Sequence, residues 1–330
     1  MRFAVIGAGA IGAYVGASLA KGGADVALIA RGDHLRAMQQ HGVRVISERG
    51  DFEVHLHATD RCDEVGLVDC VIIALKAHQI SAMLEPMRPL IGPHTTIIGM
   101  QNGIPWWYFQ RHGGIYEGHV LETVDPGGLL ASTFPPDRVI GCAVYSATEI
   151  VEPGVIKHIE GTRYSLGHPS GALSPEIEAI ARAFVAGGLK APIEQNLRRD
   201  VWTKLLGNVC LNPISALTRA TLVEMATDTL VEALLREMMA ESMAVAARLG
   251  VTIEISIDKR IDGARRVGEH KTSTLQDIEA GRPLEIDCIV GAVVEMAQLV
   301  GVDVPATRHV YALTKLLDRT TQRLARRNHG

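Results

Sequence analysis

Three glycines near the start of the chain have the spacing of a loop that holds phosphate groups. They follow a short apolar segment, Phe3-Ala4-Val5-Ile6, and precede a stretch of small residues over 13–21. In such a loop the first glycine allows a tight turn, the second lets backbone N–H groups approach a pyrophosphate, and the third lets a helix pack close to a strand. This spacing predicts a dinucleotide cofactor, and the residues predicted to bind it here are Gly7, Gly9, Ala10, Ile11 and Gly12.

The glycine loop and the predicted second strand, Asp25 to Ile29, form a dinucleotide-binding βαβ unit, and Arg31 stands just past the end of that strand. An acidic residue at this position usually holds the ribose 2′-hydroxyl of NAD, whereas an arginine suits the 2′-phosphate of NADP. Asp33 is close by, but its place past the strand end is typical of a turn or of the N-cap of the next helix. The alternative for Arg31 is a solvated surface charge. We predict NADP(H) as the cofactor.

Two more polar residues directly follow predicted buried strands. Lys76 comes after the predicted strand 69–75, which is apolar from Cys70 onward, and Asn102 comes after the strand 95–100, inside Gln101-Asn102-Gly103. In an open parallel sheet, ligands lie outside the carboxyl ends of the strands, so both residues are placed to contact the cofactor. A solvated lysine and a turn asparagine before glycine are the alternatives, and position alone leaves both open.

A third group lies on a predicted helix in the second half of the chain. Lys204, Asn208 and Asn212 are spaced four residues apart, so they share one helix face. A lysine can donate a proton to the alkoxide that forms when a carbonyl is reduced, and amide groups can orient the substrate. A solvated surface stripe is the alternative. The apolar surroundings, with Trp202, and the Asn212-Pro213 step favour a functional face.

The segment 271–287 also carries polar residues, but these have a structural explanation. Ser273, with Gln276 three residues later, matches a capping box. Gly281 is typical of a helix end, and Glu285 falls in the first turn of the next predicted helix, where an acidic group is favourable. The pattern alone therefore does not require a catalytic role for these residues.

Composition restricts the class of protein. The chain has 330 residues, 47% of them hydrophobic and 4% aromatic, with a formal net charge of −4. This charge argues against a nucleic-acid or anionic-membrane partner. The five cysteines are scattered and form no C-x-x-C pair, which is typical of reduced thiols and not of a disulfide framework or a zinc site. We expect a cytoplasmic protein with a small-molecule substrate and no metal site.

The pattern of strands and helices changes near residue 195. Before it, strands alternate with helices, and after it long helical periodicity takes over. We therefore predict an α/β fold with an N-terminal Rossmann-type NADP-binding domain over 1–195 and an all-α substrate and catalytic domain over 196–330. Further predicted elements are a helix over 78–87, a strand over 120–123, one helix over 222–249 and one over 288–299. Three strand pieces over 139–166, with turns at Pro153-Gly154 and Glu160-Gly161, are expected to add antiparallel to the sheet.

Several of these blocks occur together and in order. They are Gly7-Ala8-Gly9-Ala10-Ile11-Gly12, Arg31, Leu75-Lys76-Ala77, Gln101-Asn102-Gly103, Trp202-x-Lys204-x-x-x-Asn208-x-x-x-Asn212-Pro213, and Ser273-x-x-Gln276-Asp277 leading to Glu285-Ile286-Asp287. Over nearly the whole chain, this combination resembles the ketopantoate reductase (2-dehydropantoate 2-reductase) family. The resemblance implies an NADP-dependent oxidoreductase that reduces a 2-oxo acid to a 2-hydroxy acid, with ketopantoate going to pantoate in pantothenate biosynthesis.

The resemblance also implies roles for individual residues. Lys204 matches the general acid of the family, and Glu285 matches the carboxylate that helps to hold the substrate hydroxyl and to tune the lysine. The residues that match substrate contacts are Ser273, Asn208 and Asn212. Those that match cofactor contacts are Arg31, Lys76 and Asn102.

The chain departs from the family pattern in three places, one of which is a bulkier loop over Gln101-Asn102-Gly103-Ile104-Pro105-Trp106-Trp107. Family members often carry asparagine three residues before the substrate serine, where this chain has His270, and the segment 219–223 offers no asparagine. His270 is therefore a further candidate for substrate binding. These departures leave open another branched or larger 2-oxo acid. A 3-hydroxyacid dehydrogenase, a non-catalytic NADP(H)-sensing protein and a homodimeric state also stay open.

Overall fold

The computed structural model describes residues 1–328, except for the side chains of Arg326 and Asn328. The chain folds into two compact units. Unit 1 comprises Met1–Gln101, Pro105–Val120 and Gly127–Leu197, and unit 2 comprises Asn102–Ile104, Leu121–Pro126 and Arg198–Gly330. Two short segments from the first half of the chain thus belong to the unit formed by the second half, which the sequence patterns did not predict.

Within the described residues, unit 1 is built on a single nine-stranded sheet. Its strands are β1 (Arg2–Ile6), β2 (Asp25–Ile29), β3 (Val43–Ser47), β4 (Phe52–Val54), β5 (His57–Thr59), β6 (Cys70–Ile73), β7 (Thr96–Gly99), β8 (Val139–Glu152) and β9 (Val155–Gly167). They lie in the order β4-β3-β9-β8-β7-β6-β1-β2-β5. From β5 to β8 all neighbouring strands are parallel. Residues 3–6 of β1 and all of β6 are apolar and buried on both faces, as expected for the centre of a parallel sheet.

The predicted antiparallel addition to the sheet is confirmed, with one difference. Strand β8 pairs antiparallel with β9, and β9 also pairs parallel with β3. The sequence pattern predicted a turn at Glu160-Gly161, but both residues lie inside β9. Gly161 has a φ of +71°, and the register between the two strands shifts here. A bulge therefore takes up the glycine without ending the strand.

The helices of unit 1 are α1 (Ala10–Lys21), α2 (Gly32–His41), α3 (Leu84–Met87), α4 (Leu129–Thr133) and α5 (Pro175–Ala186). The predicted helix over 78–87 is wrong, because only short 3-10 turns and the one-turn helix α3 are formed there. Pro86 and Pro89 explain the difference, since a proline cannot donate the backbone hydrogen bond that a continuing helix needs.

Helix α1 packs very closely on the sheet because its buried face is made of small residues. A side-chain carbon added at Gly16 would lie 2.4 Å from the Leu28 side chain on β2. The residues from Gly12 to Leu19 are all buried. This close approach fixes the start of α1 relative to the carboxyl ends of β1 and β2.

The helices of unit 2 are α6 (Leu197–Thr218), α7 (Leu222–Thr227), α8 (Thr229–Arg248), α9 (Ile257–Val267), α10 (Ser273–Glu279), α11 (Ala292–Val300) and α12 (Pro305–Asn328). The single helix predicted over 222–249 is divided at Asp228, whose carboxylate accepts hydrogen bonds from the N–H groups of Leu230 and Val231 at 3.0 and 2.9 Å. This N-cap begins a new helix. Across residues 1–328, no helix combines the length and apolarity needed to cross a bilayer.

The strand predicted over 120–123 is also wrong. The N–H groups of Glu122 and Thr123 donate to the Glu295 carboxylate at 2.8 and 2.9 Å, and Thr123 Oγ1 donates to it at 2.6 Å. A carboxylate on α11 thus replaces the neighbouring strand as hydrogen-bond partner, which explains why this segment belongs to unit 2. The predicted fold class, a Rossmann-type α/β domain followed by a helical domain, is confirmed.

Candidate active site

The glycine loop of unit 1 connects β1 to α1 in a conformation that only glycine fits. Gly7 has a φ of +92°, and a side-chain carbon there would lie 2.7 Å from Leu75 Cδ2. The N–H groups of Gly7 and Ala8 donate to the Ile29 carbonyl at 3.2 and 3.0 Å. These bonds tie the loop to the carboxyl end of β2, so the loop is held in place before any ligand binds.

Gly9 and Gly12 have opposite surroundings. A side-chain carbon at Gly12 would lie 2.2 Å from the Gly7 carbonyl oxygen, whereas one at Gly9 would meet no atom within 4 Å. Gly12 therefore closes the loop against the helix, and Gly9 leaves open space beside the first turn of α1. The N–H groups of that turn have no partners inside the helix and carry a partial positive charge. The loop fits the pyrophosphate of a dinucleotide.

Arg31 lies just beyond β2 and is exposed, at the N-cap position of α2. Asp33 falls in the first turn of α2 instead of at its N-cap, and its carboxylate accepts a hydrogen bond from Arg36. The one acidic group in this turn is thus paired with a guanidinium from its own helix. Because Asp33 pairs with Arg36, its negative charge is already offset beside the Arg31 guanidinium. This arrangement suits a negatively charged phosphate better than a neutral ribose hydroxyl.

His34, in the same helix, joins α2 to the β8–β9 turn. Its Nδ1 accepts a hydrogen bond from the Gly154 N–H at 2.9 Å. Burial lowers the pKa of His34, and the nearby Ala8 backbone partly opposes this shift. The neutral ring keeps Nδ1 available as an acceptor, so the uncharged form stabilises the structure around the glycine loop.

Lys76 follows the carboxyl end of β6, the strand next to β1. It is half-buried, and its carbonyl accepts a hydrogen bond from the Gln79 N–H at 2.9 Å. The glycine loop and Lys76 thus follow two neighbouring parallel strands at the point where the strand order reverses. Ligands of open α/β sheets bind outside the carboxyl ends at such a switch point.

Helix α6 of unit 2 carries Lys204, Asn208 and Asn212 on one face, as the spacing predicted. Lys204 and Asn208 are half-buried, and Asn212 is only 5% exposed. A stripe of solvated surface side chains would be more exposed than this. The structure therefore argues against the surface alternative for all three residues.

Asn102 lies beside this stripe. Asn208 Nδ2 donates a hydrogen bond to Asn102 Oδ1 at 2.9 Å. The sequence assigned Asn102 to the cofactor side because it follows β7, but it belongs to unit 2 together with Asn208. One predicted cofactor residue and one predicted substrate residue are thus in direct contact.

Glu285 is half-buried and lies just before the helical stretch that ends in α11, not in its first turn as predicted. Ile286 separates it from a π-turn, Asp287–Gly291. The Glu285 carbonyl oxygen lies 3.2 Å from the Ile289 nitrogen and 3.3 Å from Cys288 Sγ. The helix predicted over 288–299 therefore starts with a widened turn, next to the carboxylate that the sequence singled out.

Ser273 is the first residue of α10, and the capping explanation for it is wrong. The N-cap is Thr272, whose hydroxyl accepts a hydrogen bond from the Leu275 N–H at 3.2 Å. Gln276 Nε2 donates to the Lys271 carbonyl oxygen at 3.3 Å instead of closing a capping box. Ser273 is exposed, and its hydroxyl does not cap the helix. Because the capping role belongs to Thr272, a role in ligand binding is the better explanation for Ser273.

His270 has a structural role through its backbone. Its carbonyl oxygen accepts a hydrogen bond from the Leu222 N–H at 3.0 Å, and Val223 bonds in the same way to the Gly268 carbonyl at 3.1 Å. Two of the places where the chain departs from the family pattern, His270 and the segment 219–223, are therefore neighbours in unit 2. A substrate contact by the His270 side chain stays a prediction.

Sequence reasoning missed Arg260, on α9. Its Nη2 donates to the Lys204 carbonyl oxygen at 3.3 Å. A side-chain carbon at Gly207 would lie 2.2 Å from the same Nη2, so the glycine makes room for the guanidinium on α6. The signal in the sequence was a glycine in the interior of a helix, which costs stability unless close packing requires it.

The thiols of Cys70 and Cys210 do not suit nucleophilic chemistry. Burial raises the pKa of the Cys210 thiol to about 12 and raises that of Cys70 further, so neither is a thiolate near neutral pH. A thiolate is the form that acts as a nucleophile. The lysine and amide groups of α6 are the better candidates for chemistry.

Comparison with known proteins identifies relatives over both halves of the chain. The family model for ketopantoate reductase PanE/ApbA matches residues 3–171, and the model for the C-terminal part of the same family matches residues 196–318. A 2-dehydropantoate 2-reductase of Mesorhizobium japonicum is 46% identical over 96% of this chain and 98% of its own length.

Solved structures agree with this result. A crystal structure from Ralstonia solanacearum MolK2, described as a candidate ketopantoate reductase, has a TM-score of 0.91 and 39% identity, and the match covers 97% of this chain and 98% of that one. A ternary structure of D-mandelate dehydrogenase with NADH and anilino(oxo)acetate has a TM-score of 0.81 at 22% identity, covering 97% of this chain and 99% of that one. At this identity, the second likeness shows the fold alone.

Proposed function

Because the chain belongs to the ketopantoate reductase PanE/ApbA family, we propose that it catalyses the NADPH-dependent reduction of 2-dehydropantoate to pantoate, in pantothenate biosynthesis. The observation that carries this proposal is the full-length likeness to a 2-dehydropantoate 2-reductase. The half-buried stripe on α6 supports it, because a carbonyl reductase needs a proton donor among groups that orient the substrate. A cytoplasmic location and a homodimer stay predictions from the sequence.

Unit 1 would hold the cofactor. In this proposal the open space at Gly9 and the N–H groups of the first turn of α1 bind the pyrophosphate, and Arg31 pairs with the 2′-phosphate. Lys76 lies at the adjacent strand end and contacts the same cofactor. When bound, the reduced nicotinamide supplies the hydride that adds to the substrate carbonyl carbon.

Unit 2 would hold the substrate and supply the proton. The Lys204 ammonium donates a hydrogen bond to the carbonyl oxygen of the 2-oxo acid and transfers its proton as negative charge develops there. Glu285 accepts a hydrogen bond from the substrate hydroxyl. Asn208, Asn212 and Ser273 orient the remaining polar groups of the substrate, and positioning of this kind lowers the entropy cost of the reaction.

A turnover assay tests the proposed function. The purified chain is given 2-dehydropantoate and, separately, a panel of branched and larger 2-oxo acids, each with NADPH and with NADH, and the loss of reduced cofactor is followed by absorbance. We expect the highest kcat/KM for 2-dehydropantoate with NADPH. A higher value for another 2-oxo acid would correct the substrate, and cofactor binding without turnover of any acid would contradict the enzyme assignment.

A further inference from the structure

The segment 102–104 lies against the π-turn Asp287–Gly291 within unit 2. The Ile104 N–H donates to the Cys288 carbonyl oxygen at 2.8 Å, and Cys288 Sγ lies 3.4 Å from the Asn102 carbonyl oxygen. The backbone on both sides of residue 103 is therefore held by one residue of this turn.

The π-turn is itself anchored. The Asp287 carboxylate accepts hydrogen bonds from Tyr311 Oη at 2.7 Å and from Lys315 Nζ, both on α12. A π-turn is wider than an α-helical turn and is frequent at functional sites. Here the Cys288 carbonyl accepts a hydrogen bond from outside the helix, so the turn offers the segment 102–104 a fixed docking point.

Gly103 allows this close approach. Its φ is +77°, and a side-chain carbon there would lie 2.3 Å from the Cys288 carbonyl oxygen and 2.6 Å from the carbonyl carbon. Backbone atoms cannot turn away as the end of a side chain can. Any residue larger than glycine therefore moves the segment off Cys288, and Asn102 moves with it.

We infer that Gly103 and the π-turn form a positioning device that holds the Asn102 amide against Asn208. Because Asn102 Oδ1 accepts from Asn208 Nδ2, the hydrogen bond leaves the Asn102 NH2 group and the second N–H of Asn208 as donors. The inference rests on the proposed function, since it directs the Asn102 donor to the cofactor and the second Asn208 N–H to the carboxylate of the 2-oxo acid. Gly103 and Cys288 act through Asn102 and are positioning residues.

A double-mutant cycle tests the device. The proteins are the wild type, Gly103→Ala, Asn208→Ala and the double variant, each assayed for kcat/KM with NADPH and 2-dehydropantoate. We expect Gly103→Ala to lower kcat/KM about tenfold in the wild type, since displacement of a positioned group by about 1 Å can cost up to ~100-fold. In the Asn208→Ala background the same change should cost less than about twofold, because the contact is already lost.

Gly113→Ala is the matched control. Gly113 has the same φ of +77°, but a side-chain carbon there would meet no atom within 4 Å. The Gly113→Ala substitution places a side chain at the same φ but causes no collision with other atoms. It should therefore leave kcat/KM unchanged. An equal loss from Gly103→Ala in both backgrounds, or no loss in either, would overturn the inference, because a purely structural role acts independently of Asn208.

Two further measurements keep the inference separate from the proposed function. If Gly103→Ala does not fold, the cycle of Asn102→Ala and Asn208→Ala replaces it, and losses that simply multiply would overturn the inference. The NADPH dissociation constant is measured in the same variants without turnover. An inactive wild type would contradict the proposed function, and the binding cycle would then decide the inference alone: coupling supports it and additivity overturns it.

Discussion

Asn208 donates a 2.9 Å hydrogen bond to Asn102, although 106 positions of the sequence separate the two residues. One of them follows a strand of the sheet and the other lies on α6. A hydrogen bond between two amide side chains uses one acceptor and one N–H, and so decides which donors and acceptors stay available to a ligand. The pair therefore links the groups predicted for the cofactor and for the substrate inside one unit.

Replacing Arg31 tests the cofactor. Arg31→Ala should raise the KM for NADPH by about 10- to 100-fold, which corresponds to the ~1.5–3 kcal/mol of a hydrogen bond to a charged group. The KM for NADH should change little, because NADH has no 2′-phosphate. Steady-state kinetics with both cofactors measure the two values.

Arg182→Ala is the control for that comparison. Arg182 is an exposed arginine on α5 that pairs with Glu178, so its loss removes the same charge away from the strand ends. Equal changes with NADPH and NADH in Arg31→Ala, or the same change in Arg182→Ala, would contradict 2′-phosphate recognition by Arg31.

Substitutions at Gly9 and Gly12 should separate an effect on cofactor binding from an effect on the free energy of unfolding. Gly12→Ala should lower the free energy of unfolding by about 1–3 kcal/mol, the usual cost of overpacking, because its side chain collides with the Gly7 carbonyl. Gly9→Ala meets no protein atom, so it should cost less than about 1 kcal/mol, the scale of a weakened N-cap, while it weakens NADPH binding. Denaturant unfolding and a cofactor titration measure both effects, and the reverse pattern would refute the assigned roles.

The pH dependence of stability tests His34. Its pKa is lowered in the folded chain, so between the folded and unfolded values the unfolded chain binds more protons. The stability contributed by the neutral ring is fully present above about pH 6.5, the unfolded value. It is lost as the pH falls from there towards the folded pKa. His34→Asn can still accept the Gly154 hydrogen bond but does not titrate, so it should weaken the loss of stability in acid.

Denaturant unfolding at several pH values from 8 to about 5 measures this difference. His57→Asn, at an exposed histidine on β5, is the control and should keep the wild-type pH dependence. If His34→Asn loses stability in acid as steeply as the wild type does, the ring does not act as an acceptor in its neutral form.

Local patterns predicted the parts of the molecule that local interactions form. Strands β1, β6 and β7 were predicted from their apolar runs, because burial on both faces requires apolar residues. The loop before α1 was predicted from its glycine spacing, because a tight turn requires glycine. The four-residue spacing of Lys204 and Asn208 also predicted a shared helix face. These features need no knowledge of residues far away in the chain.

Long-range contacts set the features that were missed. The Glu295 carboxylate accepts hydrogen bonds from Thr123, and no sequence pattern near either residue predicts this contact. The docking of Gly103 on Cys288 depends on backbone atoms, which are the same in every residue. At the start of α10, two neighbouring hydroxyl residues could each act as the cap, and only the structure selects Thr272 over Ser273.

In the proposed mechanism Lys204 donates the proton to the reduced carbonyl, and replacing this lysine removes the donor. The kcat for 2-dehydropantoate with NADPH is measured for the wild type, for Lys204→Ala and for Lys271→Ala, a control at an exposed lysine paired with Glu279. We predict that Lys204→Ala lowers kcat by about 10²–10⁴, the usual contribution of a positioned general acid, while Lys271→Ala keeps the wild-type rate. A Lys204→Ala variant with full kcat would contradict the account.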